Sequence, residues 1–228
     1  MNSSRVLLIV GVILYGITAV SMFILASRPN RPFSLLETIG FLSGVIWIAL
    51  LIKEDVWGWP AGIISSGAYV LFFYRDNLFG DAALNVLYVI LGILGWIWWA
   101  QGRDKANNLN VEYSKPFTLM LLALGVAVGA SLLVPHFRAG GSPVPIPDAA
   151  LFCTAVAAQY LQARKKIENW PLWVVVNAGY VAVYLYRGYY PTAILTLVFM
   201  VMAVVGWKNW LSLYKNELAA SAIADTAS

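Results

Sequence analysis

The chain has 228 residues, of which 61% are hydrophobic and only 11% are charged, with a mean hydropathy of +0.74. A soluble domain carries about 25% charged residues, so this chain cannot cover a water-facing surface and its class is membrane protein. Its 15 Lys and Arg give a formal charge of +4, but they are spread over short loops, which argues against a nucleic-acid patch. The single cysteine, Cys153, excludes an intramolecular disulfide and reads as a small buried thiol.

Apolar runs of about 18 residues or more read as spanning helices. Eight are predicted: Val6–Ala26, Leu35–Ile52, Val56–Tyr74, Asp81–Ala100, Phe117–Val134, Asp148–Ala163, Trp170–Tyr186 and Thr192–Leu213. The first is too long for a signal-peptide core and lacks a clear small-residue cleavage site, so it reads as a retained helix. Basic residues set orientation. With the N-terminus cytoplasmic, that side holds ten Lys and Arg, including Lys53, Lys115, Arg164, Lys165 and Lys166, against five on the other side (Arg28, Arg31, Arg75, Arg138 and Arg187). Both termini are therefore expected in the cytoplasm. The residues after Leu213 read as a short disordered tail with no lipidation signature.

The chain matches itself at an offset of 111 residues. Glu37–Trp99 aligns without a gap to Asp148–Trp210, with twelve identities in 63 positions. Trp-Pro follows a charged loop both times (Trp59-Pro60, Trp170-Pro171), and Gly-Trp-x-x-Trp closes the last helix both times. The reading is two three-helix repeats with one helix between them. An odd repeat followed by one linker helix keeps the copies parallel. The expected fold is an all-α polytopic membrane protein with eight transmembrane helices. It has a 3+1+3 core and an extra N-terminal helix. Its units are 1–34, repeat 1 over 35–102, the linker helix and loops over 103–147, repeat 2 over 148–213, and the tail over 214–228. Parallel halves place a substrate at their interface near the bilayer midplane.

On the seventh run Trp170, Trp173, Asn177, Tyr180 and Tyr184 fall on one helical stripe. A lipid-facing stripe would be Leu, Ile and Val. A membrane-embedded amide is costly unless paired, so Asn177 must face protein, ligand or water. The plain alternative is helix–helix glue. The corresponding stripe of the first repeat is Trp59, Gly62, Ser66, Tyr69 and Phe73. There, space and a hydroxyl stand where the second repeat presents a ring and an amide. An asymmetric ligand on a pseudo-symmetric axis needs that difference. A second stripe carries Asn85, Tyr88, Gly92, Trp96 and Trp99, matched by Thr196, Phe199, Ala203, Trp207 and Trp210. Its tryptophans read as an interfacial belt, and Asn85 and Tyr88 as ligand candidates. Gln159 either caps the site or reaches toward the interface.

No Asp or Glu lies mid-helix, so neither a proton relay nor a carboxylate sodium site is expected. There is no nucleotide-binding loop, and the lone His136, beside Pro135, reads as a surface loop residue with no metal partners. Enzymatic activity, a cofactor and a metal are not expected. The simplest mode is facilitated diffusion, with trapping by another protein.

The stretches Lys53–Gly62 (KEDVWGWPAG), Leu84–Trp99 (LNVLY, six residues, GWxxW) and Ala158–Trp173 (AQYLQARKKIENWPLW) resemble the PnuC family of vitamin transporters, over roughly residues 35–213. The resemblance implies a 3+1+3 fold similar in plan to the SWEET sugar transporters, a homotrimer, and uptake of nicotinamide riboside across the bacterial inner membrane. A cytoplasmic kinase would then trap the product. Relatives carry thiamine, riboflavin or deoxynucleosides. Trp170, Trp173 and Asn177 match the family's ligand-binding helix. A cationic ring would stack on indoles, and ribose hydroxyls would meet Asn177, Gln159, Asn85 and Tyr88. One departure is Asn85, where the family element would carry Gln. The substrate-site candidates are thus Trp173, Asn177, Trp170, Gln159, Asn85, Tyr88, Tyr180, Tyr184 and Trp59. The rival class is a non-transporting scaffold whose aromatics only pack.

Overall fold

The computed structural model describes residues 35–75, 79–103, 110–188 and 190–226. The predicted first span, Val6–Ala26, and the unit 1–34 lie outside the described residues. Seven helices follow in order: α1 (Leu35–Ile52), α2 (Gly58–Arg75), α3 (Phe79–Arg103), α4 (Pro116–Ala139), α5 (Pro145–Ala163), α6 (Asn169–Tyr186) and α7 (Tyr190–Thr226). Among the described residues there is no strand, and one isolated bridge joins Glu112 to Lys166. Prolines mark several starts. Pro116 and Pro145 open α4 and α5, where a missing N–H is harmless and the fixed φ suits the first turn.

Two boundaries differ from the sequence expectation. Helix α4 continues past Val134 through Pro135 to Ala139, so His136 lies on its last turn, with Nδ1 3.1 Å from the Leu132 carbonyl. Pro135 has no N–H to give the Ser131 carbonyl, so continuing the helix through it forfeits one hydrogen bond. The extra turn also brings Phe137 against Phe152 of α5, with ring centroids 6.1 Å apart. At the other end, residues 214–226 are not a disordered tail but continue α7. The stretch carries four Ala, the strongest helix former, with no Gly or Pro to stop the helix. Its 37 residues reach about 55 Å, well beyond the roughly 30 Å hydrocarbon core.

Among the described residues three helices are long and apolar enough by length and composition to cross a membrane: Phe79–Gln101, Pro116–Ala139 and Thr196–Ser221. The others are shorter or carry polar residues such as Ser65, Gln159, Gln162 and Asn177, for a reason visible in the packing. Helices α1, α2, α3, α5, α6 and α7 pack each against the next, and α7 returns to α1, closing a ring of six. Polar side chains of these helices turn inward. Helix α4 stands outside against α5 with no buried residue, and Phe117, Met120, Leu124 and Leu132 are exposed along it.

One end of the ring is locked by indoles. Trp59, Trp170 and Trp210 are at most 1% exposed and Trp99 is 4% exposed. Their rings meet edge to face, Trp59 on Trp99 at 5.4 Å and Trp170 on Trp210 at 5.3 Å, an arrangement favoured by the ring quadrupoles. The belt expectation therefore splits. Trp96 and Trp207 are 40% and 37% exposed, whereas Trp99 and Trp210 belong to the core. A spacing of three residues rotates a side chain about 60° around the helix, enough to move it from the outer face to the ring interior.

Several contacts occur twice, 111 residues apart. The Trp59 ring lies on Gly95, where an added Cβ would be 2.6 Å from it, and the Trp170 ring lies on Gly206 at 2.5 Å. Trp99 Nε1 donates to the Ala163 carbonyl at 3.1 Å, and its counterpart Trp210 Nε1 to the Leu51 carbonyl at 3.2 Å, one position short of the residue that corresponds to Ala163. Tyr69 stacks on Phe73, and Tyr180 on Tyr184.

Candidate functional site

The six-helix ring encloses a cavity of about 180 Å³. All six helices line it. Helix α1 contributes Gly40, Gly44, Trp47 and Ile48, α2 contributes Ser65, Ser66 and Tyr69, and α3 contributes Asn85 and Tyr88. Helix α5 adds Gln162, α6 adds Trp170, Trp173 and Asn177, and α7 adds Phe199 and Ala203. None of these side chains is charged. The lining is mainly aromatic and apolar with a few amides and hydroxyls, the usual make-up of a small-molecule site.

The cavity is asymmetric because large and small residues change places between positions 111 apart. Gly62 of α2 carries the Trp47 ring, which an added Cβ would approach to 2.7 Å. At the corresponding positions stand Trp173 and Ala158. So each side of the cavity has its own indole, Trp47 from α1 on one side and Trp173 from α6 on the other, with Trp170 of α6 lining it as well. The space expected at Gly62 is therefore filled. Gly40 repeats the device. An added Cβ there would lie 2.9 Å from the Tyr69 ring, so the glycine lets Tyr69 lean on α1 and line the cavity. Its counterpart Leu151 packs on Gly179 instead, and Tyr180 does not line the cavity.

Hydrogen bonds preset the polar groups. Trp173 Nε1 donates to Gln162 Oε1 at 3.1 Å, and the Trp173 ring meets Tyr88 of α3 at 6.2 Å. Asn177 Nδ2 donates to the Trp173 carbonyl at 2.7 Å, and Asn85 Nδ2 to the Asp81 carbonyl at 2.9 Å. Each amide is thus tethered to its own helix by one N–H, leaving an oxygen and a second N–H for another partner. Ser65 Oγ donates to the Gly40 carbonyl at 2.6 Å, tying α2 to α1 beside the cavity. Trp47 and Trp170 each keep a buried, unpartnered indole N–H.

Of the nine residues proposed from the sequence, Trp170, Trp173, Asn177, Asn85 and Tyr88 line this cavity, and Trp59, Gln159, Tyr180 and Tyr184 do not. Trp59 is fully buried among the core indoles. Gln159 is 2% exposed, and its Oε1 has no partner. Gln162, one turn further on, takes the place at the wall. Helix α1 was missed entirely. Its signal was present as Gly40 and Gly44, one turn apart, with Trp47 three residues on. Among the described residues no group of three His, Cys, Asp or Glu could hold a metal.

A ring of apolar helices around a neutral, polar-studded cavity defines a multi-pass membrane protein with a central small-molecule site. The chain belongs to the nicotinamide mononucleotide transporter family, whose pattern matches residues 34–212. The resemblance read from the Trp-Pro and Gly-Trp-x-x-Trp motifs therefore holds. It is 26% identical to the riboflavin/roseoflavin transporter RibM of Streptomyces davaonensis, over 76% of this chain and 83% of that one. It is 24% identical to the nicotinamide riboside transporter PnuC of Neisseria mucosa (82% and 76% covered), and 22% identical to PnuC of Escherichia coli (78% and 86%). In fold it resembles the crystal structure of the vitamin B3 transporter PnuC, with a TM-score of 0.71 at 21% identity, covering 91% of this chain and 92% of that one.

Proposed function

We propose that this chain takes up nicotinamide riboside across the bacterial inner membrane by facilitated diffusion. Two parallel three-helix units, α1–α3 and α5–α7, rock around the central cavity, and a cytoplasmic kinase traps the product. The contacts that recur at 111 residues support the 3+1+3 reading, and the ten-to-five basic asymmetry supports cytoplasmic termini. A homotrimer is the expected assembly. The observation that carries the substrate class is the cavity wall, with indoles on two sides, two tethered amides and no charged side chain. A cationic planar ring is attracted to indole faces, and ribose hydroxyls match the free amide groups. A phosphate dianion placed there would be desolvated with no cation to pair it, so the riboside fits and the mononucleotide does not. Riboflavin is the second reading, favoured by the likeness to RibM.

The test is uptake of labelled riboside into proteoliposomes without an ion gradient, with mononucleotide, riboflavin and thiamine as competitors. A requirement for a proton or sodium gradient defeats the diffusion mode. Uptake of labelled riboflavin without uptake of labelled riboside selects the second reading.

A further inference from the structure

At the end of the bundle bearing the loops 53–57 and 164–168, the two three-helix units bind each other directly. Beside the two indole-to-carbonyl bonds, Asn209 Nδ2 of α7 donates to the Ile52 carbonyl of α1 at 2.7 Å. Over them lies an ion pair, Lys165 Nζ to Glu54 Oε2 at 2.8 Å. These two residues are 111 apart. They are also the only non-glycine residues with positive φ among the described residues, 56° at Glu54 and 52° at Lys165, a conformation disfavoured when a Cβ is present. Two like turns from opposite units thus present opposite charges to each other. Both side chains are largely withdrawn from solvent, Lys165 at 15% and Glu54 at 20% exposure, and the Lys165 ammonium sits 4.7 Å over the Trp99 ring. Trp99 touches Trp210 at 6.2 Å, and Trp210 stands edge-on to Trp170, which lines the cavity.

We propose that Glu54 and Lys165 form a latch that holds the cavity shut toward this end, with Trp210 and Trp170 linking the latch to the bound ligand. The pair positions the two units and does not touch substrate. The inference rests on the rocking-transport reading above. If the units separate at this end, these are the side chains that must part first. Their partial burial makes the parting sensitive to either charge.

The test uses the full chain with Cys153→Ala and Ser66→Cys, in vesicles of known orientation, treated from each face with a membrane-impermeant maleimide. Glu54→Gln and, separately, Lys165→Met are expected to speed labelling at the Ser66→Cys thiol about fivefold, the scale of a modest ion pair, from the face bearing the 53–57 loop only. The charge swap, Glu54→Lys with Lys165→Glu, returns the rate toward that of the parent. Labelling unchanged in both single variants overturns the latch, as does a swap no better than the singles. Riboside calorimetry on the chain with its native Ser66 and Cys153, with and without the Glu54 and Lys165 substitutions, separates the two proposals. Binding retained with unchanged labelling sinks the latch alone. Binding absent with latch-dependent labelling sinks the substrate and keeps the latch.

Discussion

Gly62→Ala tests how the cavity is shaped. The new methyl would sit 2.7 Å from Trp47 Cδ1 and 2.9 Å from its Nε1. Non-bonded carbons rest at about 3.5–4.0 Å, so the indole must retreat by roughly 1 Å. An indole is a rigid plate, and beyond it lies the cavity of about 180 Å³, so retreat means entering the ligand's space. Overpacking of this kind costs about 1–3 kcal/mol. Near 2 kcal/mol, a chain of this size loses about 4–8 °C in Tm. Ligand affinity falls about tenfold for every 1.4 kcal/mol of that cost borne by the bound state. The assays are thermal unfolding in detergent and binding calorimetry with nicotinamide riboside. In a Trp47→Ala background the obstruction is gone, so adding Gly62→Ala there should cost almost nothing, since alanine is the better helix former by about 1 kcal/mol. The reasoning is refuted if Gly62→Ala lowers Tm and affinity equally in both backgrounds, or in neither.

The glycines under the two core indoles should behave differently although their contacts match. Gly95→Ala displaces Trp59 and lowers Tm while sparing affinity, whereas Gly206→Ala displaces Trp170 and lowers both. Equal affinity losses in the two variants count against Trp170 as a wall residue. Trp173→Phe keeps a ring but leaves the Gln162 oxygen, buried at 1% exposure, without its indole donor. The lost bond is worth about 1–3 kcal/mol, so calorimetry should show riboside binding weakened at least several-fold. Trp173→Ala should weaken it further. Asn177→Leu preserves volume and apolarity and breaks only the tether to the Trp173 carbonyl and the free amide groups. Affinity should drop about tenfold, on the scale of one lost hydrogen bond to a ligand, with Tm within a few degrees of the parent. Loss of folding in both the Trp173 and Asn177 variants, with no selective loss of binding, would support a packing scaffold.

The α6 and α3 walls were legible because they depend on periodicity alone. Trp170, Trp173 and Asn177, like Asn85 and Tyr88, recur at three- and four-residue steps on helices whose opposite faces are apolar. That pattern states which face points inward without reference to any other helix. The same rule overreached along α6. Tyr180 and Tyr184 share the stripe, but whether a stripe residue reaches the cavity depends on what the neighbouring helix leaves open, and there Leu151 fills the place that Gly40 leaves empty opposite Tyr69. The place of Trp47 in the wall could not be read from its own helix for the same reason. Its position is set by a glycine fifteen residues away on another helix. Gln159 and Gln162 lie one turn apart on one face, and their depth was decided by packing rather than by side-chain type.

By itself, then, the sequence determined the membrane class, the helical character, most helix positions, the family and the 111-residue self-match, since each follows from composition or from spacing along the chain. The closed ring, the Trp47 wall, the interlocked indoles of the two units and the Glu54–Lys165 pair were decided only in the tertiary structure. They depend on which side chains are absent where helices meet. Close packing leaves no room for a second ring where one already lies, so a glycine on one helix decides where a tryptophan on another can stand.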